Sequence, residues 1–213
     1  MENKNILNQI QILLNQFNAK NFDHVISKCK LLLKKNPQYV ILYNLIGSAY
    51  QNIGDYFNAK EQFKNGLKLE PNNYALMNNL AMSHKNLLEY QLANDLYLQI
   101  INTNDKYVNA YVNLGNLKRD LNEFDEAIKL YEKALVISNK NPIIYYSLGL
   151  TYQGIGNFRK AIDYSKKALE LNKNFTRADH LISQSMKYEN SDEHYINLKE
   201  KINDPTISEI EKI

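Results

Sequence analysis

Cysteine, tryptophan, proline and glycine are all scarce in this chain of 213 residues, which has one cysteine, no tryptophan, four prolines and seven glycines. The single thiol, Cys29, has no second cysteine to pair with, so an internal disulfide framework is excluded and a reducing compartment is favoured. We interpret Cys29 as a small buried apolar residue. No apolar run reaches the ~18–20 residues of a membrane span, and Asn8 and Gln9 interrupt the N-terminal stretch where a signal peptide needs an apolar core. The sequence therefore predicts a cytoplasmic protein without a membrane segment.

An excess of charge of one sign is also missing. The chain has 26 Lys and Arg against 23 Asp and Glu, and no basic block is longer than a lysine pair such as Lys34-Lys35. Proteins that bind nucleic acid concentrate positive charge on one surface. A nucleic-acid partner is therefore not expected.

Patterns that indicate catalysis or metal binding are absent as well. The histidines lie in different parts of the chain, without a partner four residues away or a cysteine at metal-ligand spacing: His24, His84, His180 and His194. Gly149 and Gly154 have the spacing of a phosphate-binding loop, but Ile155 stands where that loop needs lysine. We expect no catalytic residue, no metal ion and no cofactor in this chain.

What the chain does have is an internal period. Alanine recurs at one constant interval, at Ala59, Ala93, Ala127 and Ala161. Other landmarks share this interval: Tyr43, Met77, Tyr111 and Tyr145; Ile46, Leu80, Leu114 and Leu148; Gly47, Ala81, Gly115 and Gly149. A short unit cannot bury its apolar face alone, so a sequence with this period predicts a stack of similar units.

Each unit contains two helical patterns separated by a turn. In one unit the first pattern has the spacing i, i+3, i+4, i+7 at Tyr43, Ile46, Gly47 and Tyr50. After Gly54-Asp55 the second pattern runs through Ala59, Phe63, Gly66 and Leu67, and Pro71 ends the unit. Small residues at the crossing allow two helices to approach within roughly 8–10 Å.

These motifs resemble the tetratricopeptide repeat. The resemblance covers units 40–73, 74–107, 108–141 and 142–175, a degenerate unit at 6–39 and a cap helix at about 176–188. It implies an all-α fold, a right-handed superhelical solenoid of stacked helix-turn-helix repeats over residues 1–189. We expect eight helices between residues 40 and 175, with the four periodic alanines buried at helix crossings.

In this family the first helix of each unit lines a concave groove, which is the working surface. The resemblance places polar side chains there that could hold a peptide ligand: Asn44, Asn78, Asn79, Asn109, Asn113, Asn116 and Tyr146, with Lys85 and Arg119 on the rim. An amide carries donors and an acceptor, so a row of asparagines suits an extended peptide backbone. Asn79 and Asn113 are similar to the asparagine ladder in repeat regions attached to protein glycosyltransferases. The alternative is that a chain rich in asparagine throughout places several there by composition alone.

The N-terminal end of the expected groove is apolar, with Leu7, Ile10 and Leu14 joined by Ile41 and Leu45 from the next unit. Three explanations are open at this stage. The apolar side of a ligand covers these residues, the first helix pairs with its copy in a second chain, or the helix turns them into the core.

A different segment is expected at residues 190–213. Ser191 is the expected N-cap of one helix, and a further helix begins near Asp204-Pro205 with Ile207, Ile210 and Ile213 on one face, so the chain is expected to be a fragment. Residues 179–213 resemble the junction that precedes a sulfotransferase domain in bacterial repeat proteins. We therefore expect a non-catalytic protein-binding or peptide-binding scaffold; the alternative is a substrate-presenting repeat region of a larger sulfotransferase or glycosyltransferase.

Overall fold

The computed structural model describes residues 2–186 and 193–203, and that part of the chain consists of helices joined by short turns, without a strand. In chain order the helices are α1 (Glu2–Asn18), α2 (Phe22–Lys35), α3 (Val40–Asn52), α4 (Tyr56–Leu69), α5 (Tyr74–Asn86), α6 (Tyr90–Thr103), α7 (Val108–Asp120), α8 (Phe124–Ile137), α9 (Pro142–Gly154), α10 (Phe158–Leu171), α11 (Thr176–Ser185) and α12 (Glu193–Asn203). The all-α helical-repeat class is confirmed. The expected N-cap Ser191 and the isoleucines at 207, 210 and 213 lie outside the described residues.

The helices follow the period of the sequence. First helices begin at Val40, Tyr74, Val108 and Pro142, which have the same spacing as the periodic alanines, and eight helices lie between residues 40 and 175 as expected. The cap helix α11 ends at Ser185, slightly earlier than the expected end at about residue 188. Asparagines in the loops cap helices, because the side chains of Asn73, Asn141 and Asn157 accept hydrogen bonds from backbone N–H groups in the first turns of α5, α9 and α10. This accounts for part of the asparagine content outside the first helices.

The turn between the two helices of a unit uses the same backbone conformation each time. Positive φ angles between 61° and 84° recur once in every repeat, at Lys20, Gly54, Leu88, Asn122 and Gly156. Glycine adopts this left-handed conformation without steric cost, whereas a side chain such as that of Leu88 meets a penalty of roughly 1–2 kcal/mol. The turn is therefore fixed by packing of the helices even where its sequence is unfavourable.

The chain forms two compact parts, each containing several repeats: Met1–Ala110, here called unit 1, and Tyr111–Ile213, here called unit 2. Within unit 1 each helix from α2 to α5 packs on the next, and α3 also lies against α1 and α5. Within unit 2, α9 packs between α8 and α10, and α11 packs on α10 and α9. The expected division into an array of residues 1–189 and a segment of 190–213 stays a prediction.

Small residues allow the helices to approach closely. Ala59, Ala93, Ala127 and Ala161 are all completely buried, which confirms the expectation. A Cβ atom on Gly115 would lie 2.6 Å from the Tyr131 ring, well inside van der Waals contact, so this position has no room for a side chain. The periodic glycines and alanines therefore act as spacers between aromatic rings and the neighbouring helix.

The N-terminal helix α1 contributes to the core of unit 1. Ile6, Ile10 and Leu13 are buried in one cluster with Cys29, and Leu14 packs against that cluster. Of the three explanations, Ile10 follows the one in which the helix turns apolar residues into the core, whereas Leu7 is 60% exposed. Cys29 is completely buried, as interpreted, and burial raises the pKa of its thiol to about 12. Self-association through α1 stays a prediction.

Two equivalent tyrosines on second helices differ in their hydrogen bonding. Tyr97 and Tyr131 are one repeat apart and completely buried, and burial raises the pKa of both. The Tyr131 hydroxyl donates to Asn116 Oδ1 at 2.9 Å. Met82 takes the place of Asn116 in the repeat of Tyr97, and the Tyr97 hydroxyl has no partner in the described part of the chain. A buried polar group without a partner destabilises the fold by about 1–3 kcal/mol.

We expect Tyr131→Phe to lower the free energy of unfolding by about 0.5–1.5 kcal/mol, because it removes a hydrogen bond. The matched change Tyr97→Phe removes an unsatisfied hydroxyl, so its free energy of unfolding should equal or exceed that of the parent. Urea unfolding followed by circular dichroism compares the two. Equal losses in both variants would contradict the assignment of Tyr97 as unsatisfied.

Candidate functional site

The candidate site in unit 1 is the outward surface of α3 and α5, here called the first-helix face. Ile41 and Ala75, at the second position of each helix, are exposed there. Asn44, Asn79 and Met82 are half-buried, so solvent and ligands reach them. The family pattern also placed Leu45 on this surface, but Leu45 is buried in the core of unit 1, and that expectation is wrong.

Three of the predicted asparagines meet on this face. Asn79 Nδ2 donates to Asn44 Oδ1 at 2.9 Å, which links α5 to α3. Asn78 Nδ2 lies 3.5 Å from Asn79 Oδ1, and the Asn78 side chain belongs mainly to the interior because the residue is only 6% exposed. Asn44 and Asn79 therefore form the accessible polar pair.

A second layer of polar residues fixes this pair. Gln51 Nε2 donates to the backbone oxygen of Asn79 at 2.8 Å and lies 2.9 Å from Ser83 Oγ. Ser83 Oγ also donates to the same backbone oxygen at 3.2 Å. Because Gln51 and Ser83 are buried, these bonds hold α5 in register against α3 at Asn79.

This second layer was not predicted, although the sequence contains a signal for it. Gln153 and Ser185 occupy the repeat positions of Gln51 and Ser83, and in unit 2 Gln153 Nε2 lies 3.4 Å from Ser185 Oγ. The same glutamine-to-serine bridge thus occurs between first helices in both units. Comparing polar residues between equivalent positions could have revealed it.

The predicted residues of unit 2 are largely occupied by contacts within that unit. Asn116 Oδ1 accepts from both Tyr131 and Arg119, the latter at 3.2 Å. Arg119 also pairs with the neighbouring Asp120 at 3.0 Å, so the positive charge expected on the rim has an acidic partner. Tyr146 is half-buried and packs edge-to-face against Phe175, with 5.3 Å between the ring centroids.

The remaining predicted residues are more dispersed. Lys85 is half-buried on α5, and Asn113 is half-buried on α7. Asn109 is exposed and hydrogen-bonds the Tyr107 side chain, whose pKa is raised by burial and lowered in part by this bond. The set therefore divides between the two units: Asn44, Asn78, Asn79, Lys85 and Asn109 in unit 1; Asn113, Asn116, Arg119 and Tyr146 in unit 2.

The first helices that carry the candidate site, α3 and α5, have no acidic residue. Neither α3 nor α5 contains a carboxylate, whereas the second helices α2, α4 and α6 carry Asp23, Glu61 and Asp95. Glu89, in the turn before α6, pairs with Lys60 at 2.9 Å and contacts His84 Nδ1. The Lys60 ammonium first, and His84 second, hold the pKa of Glu89 below its usual range. Helices α3 and α5 therefore bring amides and Lys85, but no carboxylate, to the first-helix face of unit 1.

Unit 2 contains a separate cluster of charges around Asp179. This carboxylate stands at the repeat position of Tyr145 but is buried, and it lies 3.1 Å from His194 Nε2 and 2.6 Å from Lys201 Nζ on α12. Tyr195 takes the repeat position of the completely buried Ala161, where a close helix crossing needs a small residue. A cleft of about 870 Å³ between α10, α11 and α12 borders the cluster, and its lysines and carboxylates are mixed. The ion cluster holds α12 and leaves no excess of one charge in the cleft.

The described residues contain neither a metal-binding cluster nor a helix that could cross a membrane. Within residues 2–186 and 193–203, no group of three or more His, Cys, Asp or Glu side chains has the arrangement of a metal site. No helix in the same part of the chain has both the length and the apolar character needed to cross a membrane.

Comparison with protein-family models gives three matches. Residues 40–73 and 142–175 match models described as tetratricopeptide repeat, and residues 115–156 match a model described as TPR repeat. The first two ranges coincide with repeats that were expected from the sequence, 40–73 and 142–175. All three matches end at or before residue 175, and the expected resemblance of the C-terminal stretch to a sulfotransferase junction is not supported. No curated protein matches the chain.

Solved structures show the same architecture. The crystal structure of MamA is 31% identical, with a TM-score of 0.60, over 75% of this chain and 93% of that protein. TTC0263, a thermophilic TPR protein of Thermus thermophilus, is 18% identical with a TM-score of 0.76 and covers 84% of this chain and 97% of its own. YrrB, described as a TPR protein with an unusual peptide-binding site, is 19% identical with a TM-score of 0.57 over 83% of this chain and 90% of its own.

Proposed function

We propose a binding function for this chain, which belongs to the tetratricopeptide repeat family: it is a non-catalytic scaffold that holds an extended peptide segment of a partner protein. Repeat stacks of this kind present a long surface to their partners, and in YrrB the same fold carries a peptide-binding site. The specific part of the proposal is the place of binding, which is the first-helix face of unit 1.

The observation that supports this place is the hydrogen-bonded pair of Asn44 and Asn79. Both amides are half-buried, and each retains hydrogen-bonding capacity after the bond between them is made. Exposed Ile41 and Ala75 flank the pair and supply apolar contact for side chains of the ligand.

The alternative, a substrate-presenting region of a sulfotransferase or glycosyltransferase, has no observation in its favour among the described residues. The cytoplasmic location of the protein and the binding role of Asn113, Asn116 and Tyr146 in unit 2 are parts of the same proposal that await testing.

The proposal predicts that Asn79→Ala weakens peptide binding by about 0.5–1.5 kcal/mol, the net value of an ordinary hydrogen bond. Folding should be nearly unchanged because solvent can replace the lost bond to Asn44. The probe is a random-sequence peptide pool displayed on phage, selected against the immobilised wild-type chain. Affinities of the selected peptides are then measured by fluorescence anisotropy.

Asn65→Ala is the matched control, since Asn65 lies on α4 and its side chain bonds Lys68 instead of the first-helix face. It should leave affinity unchanged. Failure of the wild-type chain to select any peptide, or equal losses of affinity in both variants, would contradict the proposed function. The change Asn113→Ala tests unit 2 separately.

A further inference from the structure

We propose that the first-helix face of unit 1 selects acidic peptides, in which aspartate or glutamate side chains alternate with small residues. This inference rests on the proposed peptide-binding function and specifies the chemistry of its ligand. It differs from the expectation from sequence, in which the asparagines grip a peptide backbone without regard to its side chains.

The hydrogen bonds on the face leave more donors than acceptors unused. The side-chain oxygens of Asn44 and Asn79 each already accept a bond, from Asn79 and Asn78 respectively. No residue in the described part of the chain accepts from Asn44 Nδ2, and Asn79 Nδ2 uses one of its two N–H groups. Each oxygen keeps one further lone pair, but three N–H groups remain available, so donors outnumber acceptors in the unused hydrogen-bonding capacity of the pair. Such a pair binds acceptors, and a carboxylate is a stronger acceptor than an amide oxygen.

The Asn79 amide cannot reverse its orientation by itself. Exchanging the nitrogen and oxygen of Asn79 by rotation would place two oxygens against each other at Asn44 and two nitrogens against each other at Asn78. Gln51 and Ser83 hold the backbone of Asn79 through its carbonyl oxygen, so the side chain cannot escape this clash by a shift of α5. Gln51 is therefore a positioning residue, which acts on the ligand through Asn79.

The charges carried by α3 and α5 also favour an acidic ligand. Helices α3 and α5 contain no carboxylate, and Lys85 lies two helical turns after Asn78 on α5. An acidic ligand therefore meets no like charge from these two helices. A basic ligand would find neither a counter-charge nor a surplus of acceptors.

The test compares peptides of one length built from glycine alternating with aspartate, with asparagine or with lysine. Isothermal titration calorimetry with the wild-type chain should give about tenfold or more tighter binding for the aspartate peptide than for the asparagine peptide, because hydrogen bonds to charged acceptors are stronger. Binding of the lysine peptide should be undetectable. Equal affinity for all three peptides would overturn the inference and leave the proposed function standing. Absence of binding by these peptides and by the displayed pool would remove the proposed function itself.

A pair of matched variants tests whether the first-helix face of unit 1 determines the preference for the aspartate peptide. Asn44→Asp keeps the oxygen that accepts from Asn79 and replaces the outward donors by a charged acceptor. It should lose the preference for the aspartate peptide by about tenfold or more. Asn65→Asp carries the same charge change on α4, next to Lys68, and should retain the preference. Gln51→Met should reduce selectivity between the aspartate and asparagine peptides more than it reduces overall binding, which a purely structural role would not do. Retained selectivity in Asn44→Asp would overturn the inference.

Discussion

Replacing Phe63 by alanine is expected to lower the free energy of unfolding by about 3–5 kcal/mol, the usual range for a large aromatic residue removed from a core. Phe63 is completely buried on α4 and belongs to a cluster with Ala59, Leu76 and Leu80. Its ring packs directly against the backbone of Gly47, where no side chain fits. The surrounding helices can close this cavity only in part, because their spacing is set by the other repeats of the stack. Urea unfolding followed by circular dichroism measures the loss.

Phe57→Ala on the same helix is the control. Phe57 is 63% exposed, so its removal should change the free energy of unfolding by no more than about 0.5 kcal/mol. Equal effects at the two positions would mean that α4 is rotated relative to the described structure.

The second large effect is expected from Ala127→Leu, which should destabilise unit 2 by about 1–3 kcal/mol. Ala127 is completely buried near the start of α8, and the larger side chain would force the helix pair apart. The shift would also disturb the close contact between Gly115 and the Tyr131 ring. Thermal and urea unfolding should both show the loss.

Ala75→Leu makes the same change at an exposed position on α5 and should be nearly neutral. A chain with leucine at 127 that unfolds at the urea concentration of the parent would contradict the assignment of Ala127 to a helix crossing.

Much of the fold could be predicted because one constant sequence period constrains every repeat at once. The helix starts at Val40 and Pro142, the buried alanines and the turns near Gly54 and Gly156 all follow from it. The rotation of α1 could not be read in the same way. Its apolar residues cover more than one side of the helix, and only packing against Cys29 and its neighbours decides that Ile10 faces inward.

The sequence predicted which residues of the candidate site lie near each other. It did not predict the hydrogen bonds between them. The family pattern brought Asn44 and Asn79 to one surface, but which atoms of their amides face outward depends on contacts with Asn78 and Gln51. The contacts of Asn79 with Asn44 and Gln51 join residues about one repeat apart in sequence, and side-chain rotation determines them. The pairing of Arg119 with the adjacent Asp120 likewise depends on side-chain rotation, which the sequence does not determine.

The central claim is that the amides of Asn44 and Asn79 contact the ligand. The most direct measurement follows the side-chain NH₂ signals of the isotope-labelled chain by two-dimensional NMR during titration with the alternating glycine and aspartate peptide. The account predicts that the largest shifts fall on the side-chain amides of Asn44 and Asn79, while that of Asn65 on α4 is unchanged. Binding that shifts only residues of the second helices α4 and α6, and leaves both signals in place, would contradict it.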